Sequence, residues 1–137
     1  MVAPEYFADI DIADETFIVA APAELATRFC EPALWREWWP ALTLSVEQDR
    51  GVQGIRWSLH GRLTGRAEIW LEPWRDGVIV HLFVRAALDG STRDVSSLRQ
   101  ALVHGHKRRI HALKDQIERT RPAGMPRNST SGYAASG

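Results

Sequence analysis

Apolar and polar side chains alternate along the middle of the chain. Between positions 55 and 72 the odd-numbered positions are mainly apolar and the even-numbered positions mainly polar. A period of two is typical of strands with one buried and one solvated face. Gly61 and Gly65 also fall on odd numbers, so we expect either a bend at these glycines or a hairpin loop of odd length, because a two-residue loop would oppose the two faces. The apolar set is Ile55, Trp57, Leu59, Leu63, Ala67, Ile69 and Leu71.

The dipeptide Asp76–Gly77 is a strong signal for a two-residue hairpin loop. With this loop, Trp70 lies opposite Phe83 and both rings face outward. Such a pair either marks a protein contact or is covered by the N-terminal arm, which contains Tyr6 and Phe7. The register also pairs apolar with apolar residues inside and acids with bases outside. The other predicted pairs are Leu71 with Leu82, Ile69 with Val84, Ala67 with Ala86, Glu72 with His81 and Glu68 with Arg85.

Prolines and helical periodicity divide the rest of the chain into elements. Pro22 and Pro32 suit the first turns of two short helices, and Pro40 ends the second. Near the C-terminus, apolar residues recur at helical spacing after a serine that can cap a helix. The predicted elements are strands over Asp9–Ala21 and Leu42–Arg50, helices over Pro22–Glu31 and Pro32–Trp39, and a long helix capped by Ser96 or Ser97 that ends near Arg121. The apolar stripe of the long helix is Val95, Leu98, Leu102, His106, Ile110, Leu113 and Ile117.

The two ends differ in composition from the middle. Residues 122–137 are mostly small or helix-breaking, which predicts a disordered tail. Residues 1–8 are expected to form a loosely held N-terminal arm. One domain over residues 9–121 is therefore expected, and that length is sufficient for a hydrophobic core.

Composition and charge exclude several classes of protein. The 137 residues include 17 basic and 17 acidic side chains, whereas a general nucleic-acid binder shows a basic excess. The single cysteine, Cys30, excludes an internal disulfide and a multi-cysteine metal site. No apolar run approaches the ~20 residues of a membrane span, and the N-terminus lacks the features of a signal peptide. We therefore expect a cytoplasmic protein with no metal and no cofactor.

Three segments resemble the START/polyketide-cyclase superfamily, also called SRPBCC. Glu15–Leu25 is a strand that enters a helix through proline, Trp35–Pro40 carries an aromatic residue followed by tryptophans, and Ala67–Pro73 precedes a hairpin. The resemblance implies an α+β helix-grip fold, in which an antiparallel sheet wraps around the long C-terminal helix and two short helices follow the first strand. Family members usually have more strand between residues 59 and 67, so a smaller or more open cavity is expected here.

The resemblance also implies a function, the binding of a small hydrophobic molecule such as a lipid or a polyketide-like compound. The ligand would lie between the C-terminal helix and the sheet of a monomer or homodimer. Two alternatives stay open: a cyclase or aromatase that uses His106 as acid or base, and an interaction module without a ligand. Whether the protein is an enzyme is open. The candidate ligand-binding residues are Trp38, Trp57, Leu59, Ile69, Leu82, Arg99, Leu102, His106 and Ile110.

Two polar residues of the long helix are candidates for ligand contacts. His106 lies in the apolar stripe, and histidine suits acid–base chemistry near neutral pH. We expect its ring to be buried, with Asp14 or Glu15 within reach, and the alternative is a core histidine satisfied by a neighbour. Arg99 also leans inward and could bind an anionic group, unless it is simply an exposed arginine. His104 and His111 point away from His106, so these histidines do not form a metal site.

The tryptophans and the charged surfaces allow more than one interpretation. Trp38 either stacks on a flat ligand or anchors the short helices, and Trp39 is expected at the edge of the core. Trp57 is either core or pocket wall. Residues 1–37 hold eight acidic side chains and two arginines, whereas the outer face of the long helix is basic. We expect these two regions either to be solvated or to attract each other.

Overall fold

The computed structural model of the protein describes residues 8–89 and 94–120. The predicted tail, and all of the predicted arm except Ala8, lie outside these residues. The described elements are β1 (Ile10–Ile18), α1 (Pro22–Phe29), α2 (Pro32–Trp38), β2 (Thr43–Asp49), a short 3₁₀ turn (Gly51–Gln53), β3 (Gly54–His60), β4 (Leu63–Trp74), β5 (Gly77–Leu88) and α3 (Val95–Arg119). In this described part no helix is both long enough and apolar enough to cross a membrane.

The five strands form one antiparallel sheet in the order β1-β5-β4-β3-β2. The inner face of the sheet packs against α3, whose closest strand neighbour is β1, and against α1 and α2. This is the α+β helix-grip architecture that the sequence predicts. The odd-numbered apolar residues of β3 and β4 are all buried, as the alternation predicts.

The two short helices begin at prolines because a first-turn N–H has no partner within a helix. Pro22 and Pro32 occupy the first turns of α1 and α2. Leu25 and Phe29 of α1 are fully buried and attach this helix to the core. Both helices end slightly earlier than predicted, and α2 stops at Trp38 before Pro40.

The predicted register of the β4–β5 hairpin is wrong by two residues. Trp70 lies opposite His81, not Phe83, and Trp74 pairs with Gly77. The loop is therefore Arg75–Asp76, and Arg75 adopts a left-handed φ of 51°. A slip of two residues keeps every side chain on its own face, whereas a slip of one would invert the faces. The predicted inner and outer sets are therefore correct although the pairs are not.

The observed pairs across β4 and β5 follow one register throughout. On the inner face Leu71 lies opposite Val80, Ile69 opposite Leu82 and Ala67 opposite Val84; on the outer face Glu72 lies opposite Ile79, Glu68 opposite Phe83 and Arg66 opposite Arg85. Glu72 still contacts His81, now as a diagonal neighbour, through its carboxylate.

Strands β3 and β4 form a hairpin whose loop has an odd length. Leu59 pairs with Gly65 and Trp57 with Ala67, so odd positions face odd positions across the loop. Gly65 has a φ of 155°, and a Cβ atom there would overlap the carbonyl oxygen of Arg85. The sequence prediction left a bend or an odd loop open, and the second is confirmed.

Helix α3 buries the stripe that its periodicity predicts. Leu102, His106, Ile110, Leu113 and Ile117 are buried, while Val95 and Leu98 are half-buried. The N-cap position is Asp94, without a side-chain capping hydrogen bond, so the predicted serine cap is wrong.

The basic side of α3 also covers the free edge of β1. Lys107 Nζ donates to the Glu15 carbonyl oxygen at 3.0 Å, and Lys114 Nζ donates to the Phe17 carbonyl oxygen at 2.7 Å. The Val19 amide donates to Glu118 Oε2 at 3.0 Å. The helix thus blocks an edge that could otherwise pair with another strand. The acidic N-terminal region and the basic face of α3 therefore attract each other, as one of the two expectations stated. The contacts are these hydrogen bonds and the ion pair between Lys107 and Asp14.

Candidate functional site

A polar cluster interrupts the apolar inner face where β1 meets α3. Asp14 and Thr16 occupy inward positions of β1, between the buried residues Ile12 and Ile18. Lys107 of α3 lies 3.1 Å from Asp14 Oδ1 and donates to Thr16 Oγ1 at 3.0 Å. Burying a carboxylate is costly unless it is paired and hydrogen-bonded. The lysine therefore compensates for an acid placed inside the fold.

His106 links this cluster to the tryptophans, and its ring is 1% exposed. Trp39 Nε1 lies 3.2 Å from His106 Nδ1. An indole N–H only donates, so Nδ1 accepts this hydrogen bond and the ring proton is assigned to Nε2. That nitrogen points towards Asp14 Oδ2, 3.5 Å away, which is a polar contact but too long for a hydrogen bond. The predicted burial of His106 and its proximity to Asp14 are both confirmed.

The charge of Asp14 is stabilised against burial. Desolvation raises the pKa of this carboxyl, but the nearby His106 ring and the Lys107 ammonium group lower it by more, so that the pKa is lowered overall. The carboxylate therefore stays ionised and holds His106 and Lys107 in place. Because Trp39 and Asp14 face the two ring nitrogens, His106 serves packing and hydrogen bonding in this arrangement.

Four tryptophans fill the space between the short helices and the sheet. Trp39 contacts Trp38 and Trp57 edge to face, with ring centroids 5.9 Å and 5.6 Å away, and Trp35 meets Trp57 at 5.2 Å. Such pairs add to the stabilisation from buried area. Trp39 is 1% exposed, so its expected position at the edge of the core is wrong. The Trp57 indole N–H has no acceptor among the residues that the structure describes.

A recess of about 200 Å³ opens between the end of α2 and the first half of α3. Trp38 and Leu102 contribute to its wall, and Gly105 widens it because it has no side chain. A Cβ atom at Gly105 would meet only the end of the Arg109 side chain, at 3.3 Å. The lining residues are Trp38, Pro40, Ala41, Leu98, Ala101, Leu102, Gly105, Arg108 and Arg109.

The recess brings together two of the nine predicted site residues, Trp38 and Leu102. Arg99 is exposed on α3 and does not line this recess. The other predicted residues are buried in the core, namely Trp57, Leu59, Ile69, Leu82, His106 and Ile110. Sequence reasoning missed Gly105, Arg108 and Arg109. The signal for Gly105 was its position beside the apolar stripe of the helix.

Comparisons with known proteins identify the fold. No family model and no curated protein matches the chain. The structure is similar to the Aha1 dimer from Colwellia psychrerythraea, with a TM-score of 0.58 and 13% identity over 82% of this chain and 99% of that one. It is also similar to an AHSA1-like protein from Rhizobium etli, with a TM-score of 0.57 and 14% identity over 90% of this chain and 89% of that one. A protein from Thermus thermophilus matches with a TM-score of 0.52 and 13% identity, over 82% of this chain and 99% of that one. These similarities show the helix-grip fold.

Proposed function

We propose that the protein binds a small, mainly apolar molecule with an anionic end in the recess between α2 and α3. The recess itself carries this proposal, because its lining joins an apolar wall to two arginine residues. Trp38 and Leu102 offer contact surface for an apolar body. Arg108 and Arg109 can pair with a carboxylate or a similar anion at the rim.

The size of the recess limits the ligand. Small-molecule sites usually have about 300 Å³ or more, whereas this recess has about 200 Å³. A short acyl chain or a single ring is therefore expected to be enclosed, with any longer part outside. The smaller volume agrees with the expectation from the short β3–β4 segment. The wall behind Trp38 consists of Trp39 and His106, whose ring centroids lie 5.9 Å from that of Trp38.

The cyclase alternative receives no support from the geometry of His106. An acid or base must reach the proton that it transfers, and both ring nitrogens here face protein atoms. The proposal therefore concerns binding rather than turnover. We also propose that the protein is cytoplasmic, needs no cofactor and acts as a monomer or a homodimer. The similar Colwellia protein is described as a dimer, which supports the homodimer.

The experiment blocks the recess without weakening the fold. Gly105→Leu places a side chain into the recess, and replacing a glycine inside a helix favours the helix by up to about 1 kcal/mol. Ala112→Leu is the matched control, because Ala112 is exposed on the same helix and does not line the recess. Octanoate and octanol serve as probes that differ in charge.

Binding is measured by tryptophan fluorescence, since Trp38 lies in the wall. We expect octanoate to bind the parent and Ala112→Leu equally, to bind Gly105→Leu at least tenfold more weakly, about 1.4 kcal/mol, and to bind better than octanol. Equal binding to Gly105→Leu and the control, or no saturable binding to the parent, would contradict the proposal.

A further inference from the structure

The outer face of the sheet carries a row of stacked rings. Trp70 and His81 stack with centroids 4.3 Å apart and planes 17° apart. His81 and Phe83 stack at 5.8 Å and 8°. Phe83 is 37% exposed and ends the row. Positions 81, 83 and 85 share one face of β5, so Phe83 and Arg85 are neighbours on the outer face and line the same pocket.

Two arginines lie directly opposite each other next to this ring. Arg66 of β4 pairs in register with Arg85 of β5. Like charges in directly opposed positions destabilise a sheet. Arg85 contacts Asp11 Oδ2 at 3.5 Å. For Arg66, which is exposed, no partner is found within the part of the chain that the structure describes.

These groups line a pocket of about 320 Å³, larger than the recess beside α3. Glu68 in the pocket is held by Arg50 at 3.1 Å and by Arg56 at 3.4 Å. With Glu68 paired in this way, Arg66 and Arg85 supply the positive charge on the other side of the pocket, Arg85 while also in contact with Asp11. The lining residues are Glu47, Arg56, Arg66, Ala67, Glu68, Phe83 and Arg85.

We propose that this outer-face pocket binds a small aromatic monocarboxylate. The aromatic ring extends the stack on the free side of Phe83, and the carboxylate accepts hydrogen bonds from Arg66 and Arg85. Guanidinium groups match a carboxylate in charge and planar geometry, and a carboxylate between them removes the repulsion of the opposed pair. Glu47 at the β2 side of the pocket disfavours a second negative charge. The ligand is therefore a monoanion.

The site is independent of the recess in the proposed function, because the two lie on opposite faces of the sheet. The test is a titration of the full-length, isotope-labelled protein with benzoate, followed by amide chemical shifts in NMR spectra. Benzyl alcohol is the uncharged probe, and phthalate is the dianion. We expect benzoate to shift amides around Arg66 and Phe83, with weaker binding of phthalate and none of benzyl alcohol.

Arg66→Gln removes one guanidinium group, and Arg62→Gln is its control, since Arg62 is exposed in the β3–β4 loop outside the pocket. We read benzoate binding at this pocket from the amides around Arg66 and Phe83 alone. We expect Arg66→Gln to weaken that binding roughly tenfold, as the loss of a charge-assisted hydrogen bond implies, whereas Arg62→Gln has no effect on it. If Arg66→Gln and Arg62→Gln lowered the affinity for benzoate equally, benzoate would be attracted by positive charge in general and not bound in the pocket. Contacts between Phe83 and the rings of Tyr6 or Phe7 in the ligand-free protein would assign the pocket to the N-terminal segment. Either result, or the absence of shifts, overturns the proposal.

Discussion

Two buried histidines on opposite faces of the sheet have similar surroundings but different bonding. His106 is 1% exposed on the inner side, and His81 is 6% exposed on the outer side. Each ring stacks on a tryptophan, Trp39 for His106 and Trp70 for His81. Each ring also has a carboxylate within 4 Å.

The partners of the ring nitrogens separate the two sites. His106 accepts from the Trp39 indole on one side and faces Asp14 on the other, so one of its nitrogens meets a donor and the other an acceptor. His81 faces carboxylates on both sides, Glu72 at 2.9 Å and Glu15 at 3.7 Å, so that each of its ring nitrogens has an acceptor group beside it. Burial alone therefore does not decide what a histidine does. The donor or acceptor character of its neighbours decides it.

The largest expected effect comes from replacing His106 by phenylalanine. His106→Phe leaves the Trp39 N–H without an acceptor and removes a partner of Asp14, which should lower the free energy of unfolding by roughly 3 kcal/mol. Urea unfolding at neutral pH measures the change, and His111→Phe, at an exposed position, is the control. A loss no larger than that of the control would remove the distinction between the two histidines.

The second effect concerns the charge of Asp14. Asp14→Asn should cost about 2 kcal/mol at neutral pH, because Lys107 and His106 lose a charged partner. The pKa of Asp14 is lowered in the folded state, so its contribution is complete above the unfolded pKa, near 3.8, and is lost as the pH falls through the folded value. Unfolding measured from pH 7 to pH 2 should therefore show a difference between parent and variant that shrinks in acid. A difference that grows in acid would contradict the assigned direction.

The third effect concerns His81, the counterpart of His106 on the outer face of the sheet. His81→Phe keeps a ring between Trp70 and Phe83 and removes only contacts with carboxylates that reach solvent. We expect the free energy of unfolding to change by less than about 1 kcal/mol at neutral pH. The same urea experiment that tests His106→Phe compares the two sites directly. Equal costs at both positions would show that burial outweighs the bonding pattern.

The smallest effect tests the hairpin register that places His81 beside Trp70. Arg75 lies in the loop with a φ of 51°, a conformation that glycine adopts more easily. Arg75→Gly should therefore raise the free energy of unfolding by about 0.5 kcal/mol. In the register with Asp76–Gly77 as the loop, Arg75 would be a strand residue and glycine would destabilise it. The sign of the change in thermal unfolding distinguishes the two registers.

Much of the fold follows from local sequence patterns, but the register of the β4–β5 hairpin does not. Alternation assigns each residue of β4 and β5 to a face, and it assigns them correctly. It cannot distinguish registers that differ by two residues, because both bury the same side chains. The Asp76–Gly77 signal favoured one loop, whereas the fold uses Arg75–Asp76 and places a non-glycine residue at positive φ.

In the candidate site, the position of Trp39 is likewise not predictable from the local sequence pattern. A helical pattern over Pro32–Trp39 places Trp38 inward and Trp39 at the edge. The chain leaves the helix at Trp39, with φ of −131° and ψ of 65°, so helical periodicity no longer governs its direction. Its ring turns inward and binds His106, which is 67 positions away in the sequence.

The sequence by itself determined the order of the elements, the inner and outer faces of the strands and the buried stripe of α3 that contains His106. These features depend on periods of two and 3.6 residues, which neighbouring residues encode. Only the tertiary structure decided the hairpin register, the contacts that join Trp39, His106 and Asp14, the recess beside Gly105 and the opposed Arg66 and Arg85. Each of these brings together strands or helices whose relative position comes from packing the whole core, and no local pattern specifies that position.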